Sequence, residues 1–190
     1  MAAVDSKDEN SKDEAVGEPT SFSTDFTKLE SLGQGAFSTV HRCRLKSSQG
    51  EYAVKCIALR PLRLQPTFNL KRLMRECDIL RKVEHKNIVK FHWAFEESDQ
   101  IFFVMDYVDG IELFDLILAR SRFSDGDAIP VLRQLAEALA FLHAKGIIHR
   151  DVKVCWLCHP PFTKSLSHSV PASNAHLLWH SHLIPSASVR

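Results

Sequence analysis

Hydrophobic and polar positions alternate in short runs through the first half of the chain and then settle into a longer period. Residues 26–33, 39–45 and 51–57 read as strands. Between 69 and 83 the spacing turns helical: Leu70, Leu73, Met74, Cys77 and Leu80 fall at i, i+3, i+4, i+7 and i+10, one apolar face. Two more strand-like runs follow, 89–96 and 100–108. The second opens Gln100-Ile101-Phe102-Phe103-Val104-Met105 and is rich in β-formers. After Asp109-Gly110 the pattern is helical again. Val131, Leu132, Leu135, Leu139 and Leu142 line one face, Gly146 is placed to cap the end, and Pro130 fits only a first turn. The predicted order is strands, one helix, two strands, then helices.

The ends of the chain break this pattern. Residues 1–25 hold seven acidic side chains and two lysines with few, small apolar residues, so a disordered acidic tail is expected. Residues 154–190 contain no Asp or Glu, and Lys164 and Arg190 are their only Lys/Arg charges. They carry five of the ten histidines, seven serines and four prolines, with no period of 2 or 3.6. This tail is expected to be unstructured and foreign to the domain before it. An intron read in frame from the Val154 codon would produce such a composition.

Composition narrows the function classes. At 45% hydrophobic and 25% charged, the 190 residues suit one folded domain with tails rather than wholesale disorder. A net charge of +1 gives no argument for nucleic acid. The opening residues contain no apolar signal region, and the longest charge-free stretch, 165–189, is too rich in Ser and His for a membrane span. Five unevenly spaced cysteines do not make a disulfide framework. A reducing compartment follows, the cytoplasm first and the nucleus second. Oligomeric state has no signature.

Four segments carry candidate chemistry. Leu32-Gly33-Gln34-Gly35-Ala36-Phe37-Ser38-Thr39-Val40 joins two predicted strands, and its glycines let a backbone turn approach phosphates; a plain hairpin would look the same. Tyr52-Ala53-Val54-Lys55 puts a lysine on a strand, where a buried head needs an anionic partner and an edge position needs none. Glu76 sits near the apolar side of the first long helix, though most helix glutamates face water. Ile147-Ile148-His149-Arg150-Asp151-Val152-Lys153 follows the second.

Together and in this order, these segments resemble the eukaryotic protein kinase family. His85-Lys86-Asn87-Ile88-Val89 and the hinge-like Val104-Met105-Asp106-Tyr107-Val108 add to the match. Lys153, two residues after Asp151, is similar to the serine/threonine class. Asp109-Gly110-Ile111-Glu112-Leu113-Phe114 resembles the calcium/calmodulin-dependent kinases. The resemblance implies an α+β fold: an antiparallel sheet plus one helix as small lobe (26–104), a hinge (105–110), and the first helices of the large lobe (111–153), with the rest of that lobe absent. It implies an ATP site. Leu32, Val40 and Ala53 would enclose adenine, Met105 would be the gatekeeper, and the backbones of Asp106 and Val108 would bond the base edge. Gly33, Gly35 and Ser38, the last standing for a third glycine, would cover the phosphates. Lys55, oriented by Glu76, would hold the α- and β-phosphates, and Glu112 would reach the ribose. Asp151 would accept the proton of a protein substrate hydroxyl, and Lys153 would steady the γ-phosphate. Leu80, Phe91 and His149 match members of the hydrophobic spine between lobes.

The match stops after Lys153. The family continues Pro-Glu-Asn where this chain has Val154-Cys155-Trp156, and no Asp-Phe-Gly occurs. The family uses Mg²⁺, but its protein ligands are missing here, so an inactive chain is expected. A noncatalytic nucleotide- or partner-binding module is the alternative. With later helices missing, Leu132, Leu135, Leu139 and Leu142 are expected to lie wet unless the tail covers them. Cys155-Trp156-Leu157-Cys158-His159 matches the haem-attachment string Cys-x-x-Cys-His but is read as incidental, because haem attachment needs an exported chain.

Overall fold

A computed structural model describes residues 17–35, 37–120, 122–149, 152–153, 157–159 and 176–177. Its centre is a five-stranded antiparallel sheet built from β1 (Phe26–Gln34), β2 (Ser38–Leu45), β3 (Glu51–Ala58), β4 (Phe91–Glu97) and β5 (Gln100–Asp106), in the order β1-β2-β3-β5-β4. The strands lie within a few residues of the predicted runs. Alternation in sequence becomes two apolar faces here, because successive side chains point to opposite sides of a sheet.

The outer face buries Phe26, Cys43, Leu45, Val54, Cys56, Phe95, Phe102 and Val104. Its cover corrects one expectation. Residues 22–25 are not part of a disordered tail but form a short helix, α1 (Phe22–Asp25). Phe22 is buried and stacks on Phe102 (centroids 4.5 Å apart) and Phe26 (5.3 Å). Glu97, at the end of β4, accepts hydrogen bonds from the N–H groups of Phe22 and Ser23, which start the helix. One aromatic residue in a polar stretch leaves no periodicity; only the sheet supplies its partners.

The inner face carries the larger core. A short helix α2 (Leu59–Arg63) leads out of β3. Helix α3 (Leu70–Leu80) packs Leu73, Cys77 and Leu80 inward, as the spacing predicts, and Asn69 caps it by accepting the Arg72 N–H (3.0 Å). After β5 come β6 (Ile111–Glu112), α4 (Leu113–Arg120) and α5 (Asp125–Ala144). Buried Asn87 ties the sheet side to α5, donating Nδ2 to the Gln134 carbonyl (3.2 Å), while Lys86 pairs with Glu137 (3.0 Å).

Two expectations about α5 are corrected. Ser124 and Asp127 form a capping box that starts the helix at Asp125, so Pro130 is its sixth residue, in the second turn rather than the first. The exposed Gly126 is the residue whose carbonyl loses a helical partner there. The four leucines are not uniformly wet either. Leu142 is fully buried, Leu135 and Leu139 are half-buried, and Leu132 alone is mostly exposed, at 60%. The inward stripe runs through Val131, Leu135, Ala138 and Leu142, at i, i+4, i+7 and i+11.

After residue 153, where the pattern predicts no element, the structure places β7 (Leu157–His159) and β8 (His176–Leu177). β7 pairs antiparallel with β6, β8 pairs with β7, and β8 lies against α5. Strands of two or three residues are too short to show a period; an open strand edge at β6 recruits them through main-chain hydrogen bonds. Among the described residues no helix is long and apolar enough to cross a membrane.

Candidate functional site

The sheet register assembles the predicted residues on its inner face. Val40, Lys55 and Phe103 form one cross-strand row. Arg42, Ala53, Met105 and Phe91 form the next. Side chains in such rows share a face, so Val40, Ala53 and Met105 make one continuous apolar surface with Lys55 beside it. Val40, Ala53 and Met105 are all buried, whereas Leu32 on β1 is 45% exposed at the rim.

Lys55 is the unusual member. It is 2% exposed on the central strand, among the most buried side chains of the protein. Burial pushes its ammonium down to about 8 from an ordinary 10.5, because a low-dielectric surround disfavours the charged form.

The turn between β1 and β2 leads directly into the strand that carries Val40. Gly33 pairs with Val40 and faces open space. Gly35 is held tightly: its N–H donates to the Ser38 carbonyl (2.7 Å), and a Cβ there would sit 3.2 Å from Ser38 Oγ. Ser38 therefore fills the space beside Gly35. A side chain at 35 would press on the Ser38 hydroxyl, and neither glycine has a left-handed backbone.

Below the sheet, the chain crosses from β5 into the hinge. The Asp106 N–H donates to the Lys90 carbonyl (2.9 Å), and the Asp106 carboxylate accepts His92 Nε2 (2.6 Å) and the Lys90 N–H (3.3 Å). Burial by itself would raise the Asp106 carboxyl, yet these donors hold it below the usual carboxylate range. Tyr107 and Val108 are half-buried against the inner core. Glu112 is exposed on β6, and burial of its carboxyl, with Asp115 nearby, raises it above the usual value.

Further along, a Schellman motif ends α5 and aims the next segment back to the sheet. Gly146 has φ 71°, its N–H donates to the His143 carbonyl (2.9 Å), and the Ile147 N–H donates to the Leu142 carbonyl (2.9 Å). Ile147 and Leu142 are both buried in the inner core, completing the cap. His149, Leu80 and Phe91 are buried, and Leu80 and Phe91 share one cluster. Lys153 is exposed. Asp151, Trp156 and Cys155 lie outside the described residues, as does the side chain of Glu76, whose backbone belongs to α3.

The sheet and hinge thus bring together Val40, Ala53, Lys55 and Met105, with Asp106 and Val108 at the edge. Sequence reasoning passed over the hinge supports Lys90, His92 and Arg42, and gave Tyr107 no role beyond its place in the hinge. The signal for Arg42 was present in the form of Glu30 and Glu51 on the flanking strands, but it depends on register.

Comparison with known proteins agrees with this architecture. A sequence model of the protein kinase domain matches residues 26–155. A calcium/calmodulin-dependent protein kinase type II from Caenorhabditis elegans is 40% identical over 134 residues, 70% of this chain and 18% of that protein. Human calcium/calmodulin-dependent protein kinase type IV is 37% identical over 155 residues, covering 81% of this chain and 29% of the relative. A type 1 enzyme from Caenorhabditis elegans is 41% identical over 123 residues, 64% of this chain and 34% of its own length. The chain therefore spans about a third or less of each of these relatives. On the fold, the motif order and these matches, the chain belongs to the protein kinase family, within its serine/threonine branch and similar to the calcium/calmodulin-dependent kinases.

Proposed function

We propose that the chain binds ATP between the inner face of the sheet and the hinge, as the nucleotide-binding part of a serine/threonine protein kinase. The observation that carries this reading is the buried Lys55, beside an apolar surface of Val40, Ala53 and Met105. A flat apolar base beside a polyanion has the chemistry of that pairing. Leu32, Val40 and Ala53 enclose adenine, and Met105 closes the rear as gatekeeper. Asp106 offers the base edge only its carbonyl, because its N–H is donated to Lys90. Val108 supplies its main chain, and Glu112 reaches the ribose. The turn of Gly33, Gly35 and Ser38 covers the phosphates, and Lys55, oriented by Glu76, holds the α- and β-phosphates. Asp151 takes the proton of a protein hydroxyl, and Lys153 steadies the γ-phosphate.

Metal-assisted transfer does not follow from these residues. Trp156 stands where the family's metal-holding Asn belongs, and the 190 residues contain no Asp-Phe-Gly. Among the described residues, no group of three or more His, Cys, Asp or Glu is placed to hold a cation. The described side chains do not fit a magnesium centre. The 190-residue chain is expected to bind nucleotide without transferring phosphoryl at a kinase's rate.

Thermal denaturation with ATP tests the binding. ATP raises the midpoint of the wild-type chain and leaves Lys55→Met unmoved; an unshifted wild type would end the reading. Phosphoryl transfer at rates typical of kinases, lost on Asp151→Asn, would overturn the inactivity.

A further inference from the structure

We propose that Arg42 is a positioning residue for the hinge, fixing it for base recognition through the ring of Tyr107. The inference rests on the ATP-site reading above and deepens it. Arg42 stands on β2 at the outer end of the row Arg42-Ala53-Met105-Phe91, two residues from Val40 on the same face. It is therefore next to the surface that would roof the base. Its guanidinium is held from both neighbouring strands. Nη1 donates to Glu30 Oε1 on β1 (3.0 Å), and Nη2 donates to Glu51 Oε2 on β3. Glu51 is itself fixed by Arg44 Nη2 (3.0 Å).

So held, the guanidinium carbon lies 4.9 Å from the centroid of the Tyr107 ring, well inside the range of a cation–π contact. Arg42 Nε is buried with no hydrogen-bond acceptor among the described residues, so that edge makes no competing polar contact. Arginine suits this place because its planar fork can bridge two carboxylates and still present a face to a ring; lysine cannot do both. The Arg42 side chain is 29% exposed, so the ion pairs contribute little stability on their own. Their effect is orientation.

The hinge is thereby tied on two flanks. Asp106 is anchored to β4 by His92 and Lys90, and Tyr107 is pressed from β2 by Arg42. The main-chain groups of Asp106 and Val108 that meet the base edge lie on either side of Tyr107. Among the described residues the Val108 main chain makes no hydrogen bond; its side chain packs on the inner core, and the Arg42–Tyr107 contact lies immediately before it. The phosphate grip, from Lys55 and the Gly33–Ser38 turn, does not pass through this contact. Arg42 should therefore influence recognition of the base and leave recognition of the phosphates alone.

The test is calorimetric titration of the full chain with ATP and, separately, with inorganic triphosphate, which has no base. Arg42→Met is expected to weaken ATP binding about two- to thirtyfold, the range of one cation–π contact, with triphosphate affinity unchanged. Tyr107→Leu, which keeps both ion pairs, should produce the same split, and the double variant should be no worse than either single one. Arg42→Lys should behave like Arg42→Met despite keeping its charge. Unchanged ATP affinity, equal losses for both probes, or additive losses in the double variant would overturn the proposal. If Arg42→Met fails to fold, Tyr107→Leu decides the question by the same split. A wild-type chain that binds ATP no better than triphosphate would remove the base site itself, and this proposal with it. That failure is recognisable without any variant.

Discussion

The outer face of the sheet buries nine apolar residues with no charge among them, sealed by rings from Phe22, Phe26, Phe95 and Phe102. The inner face buries more, yet admits Lys55 at its centre and leaves Leu32 half in water at its rim. Both faces come from the same strands, residue by alternate residue. Even the titrating groups differ: burial pushes the Cys43 thiol on the outer side up to about 12, where it is inert, while it lowers Lys55 towards neutrality. One face maximises burial. The other gives up some stability to bury a charge on its central strand.

That contrast can be broken from the outer side first. Phe102→Ala removes a ring stacked on Phe22 and should cost about 3–5 kcal/mol in urea unfolding, as large-to-small changes of buried aromatics do. It should leave nucleotide affinity in the surviving folded fraction untouched. A large affinity loss would mean that the faces are coupled.

On the inner side the effect is pH-dependent and has the opposite character. Below about pH 8 both folded and unfolded chains hold the Lys55 proton, and the full penalty of burying the charge is present. Between about 8 and 10.5 the unfolded chain binds more protons, so stability rises with pH. Relative to Lys55→Met, the wild type should gain about 3 kcal/mol across that window, by the rule of about 1.4 kcal/mol per pH unit. Paired urea titrations at pH 7.5 and 10.5 check it; a flat difference would mean that the ammonium is not desolvated.

Smaller effects test how the inner face is joined to α5. Asn87→Ala removes a buried side chain bonded to the Gln134 carbonyl and should cost about 1–2 kcal/mol, read by the same unfolding assay. Ser124→Ala deletes the capping box and should cost about 1 kcal/mol, with α5 fraying at its first turn in amide exchange. A Ser124→Ala loss larger than that of Asn87→Ala would mean that α5 depends more on its own cap than on the sheet.

Much of this was legible along the chain. The five strands, the two long helices, the inward face of α3 and the Gly146 cap all follow from local spacing, because alternation and the 3.6-residue period are properties of consecutive residues. Phe22 was not legible, since its partners Phe26 and Phe102 meet it only across the sheet. Nor was the exposure of Leu132 against the burial of Leu142, because the choice between neighbouring stripes of a helix is made by what lies opposite.

The sequence by itself determined which residue types stand at which step of the motif order, and so the family and the candidate chemistry. Tertiary structure alone decided the depth of Lys55, the anchoring of Asp106 by His92, the contact of Arg42 with Tyr107 and the pairing of β7 with β6. Each of these joins residues from separate elements. Distance along a chain carries no information about such contacts until strand register and helix packing bring the elements together.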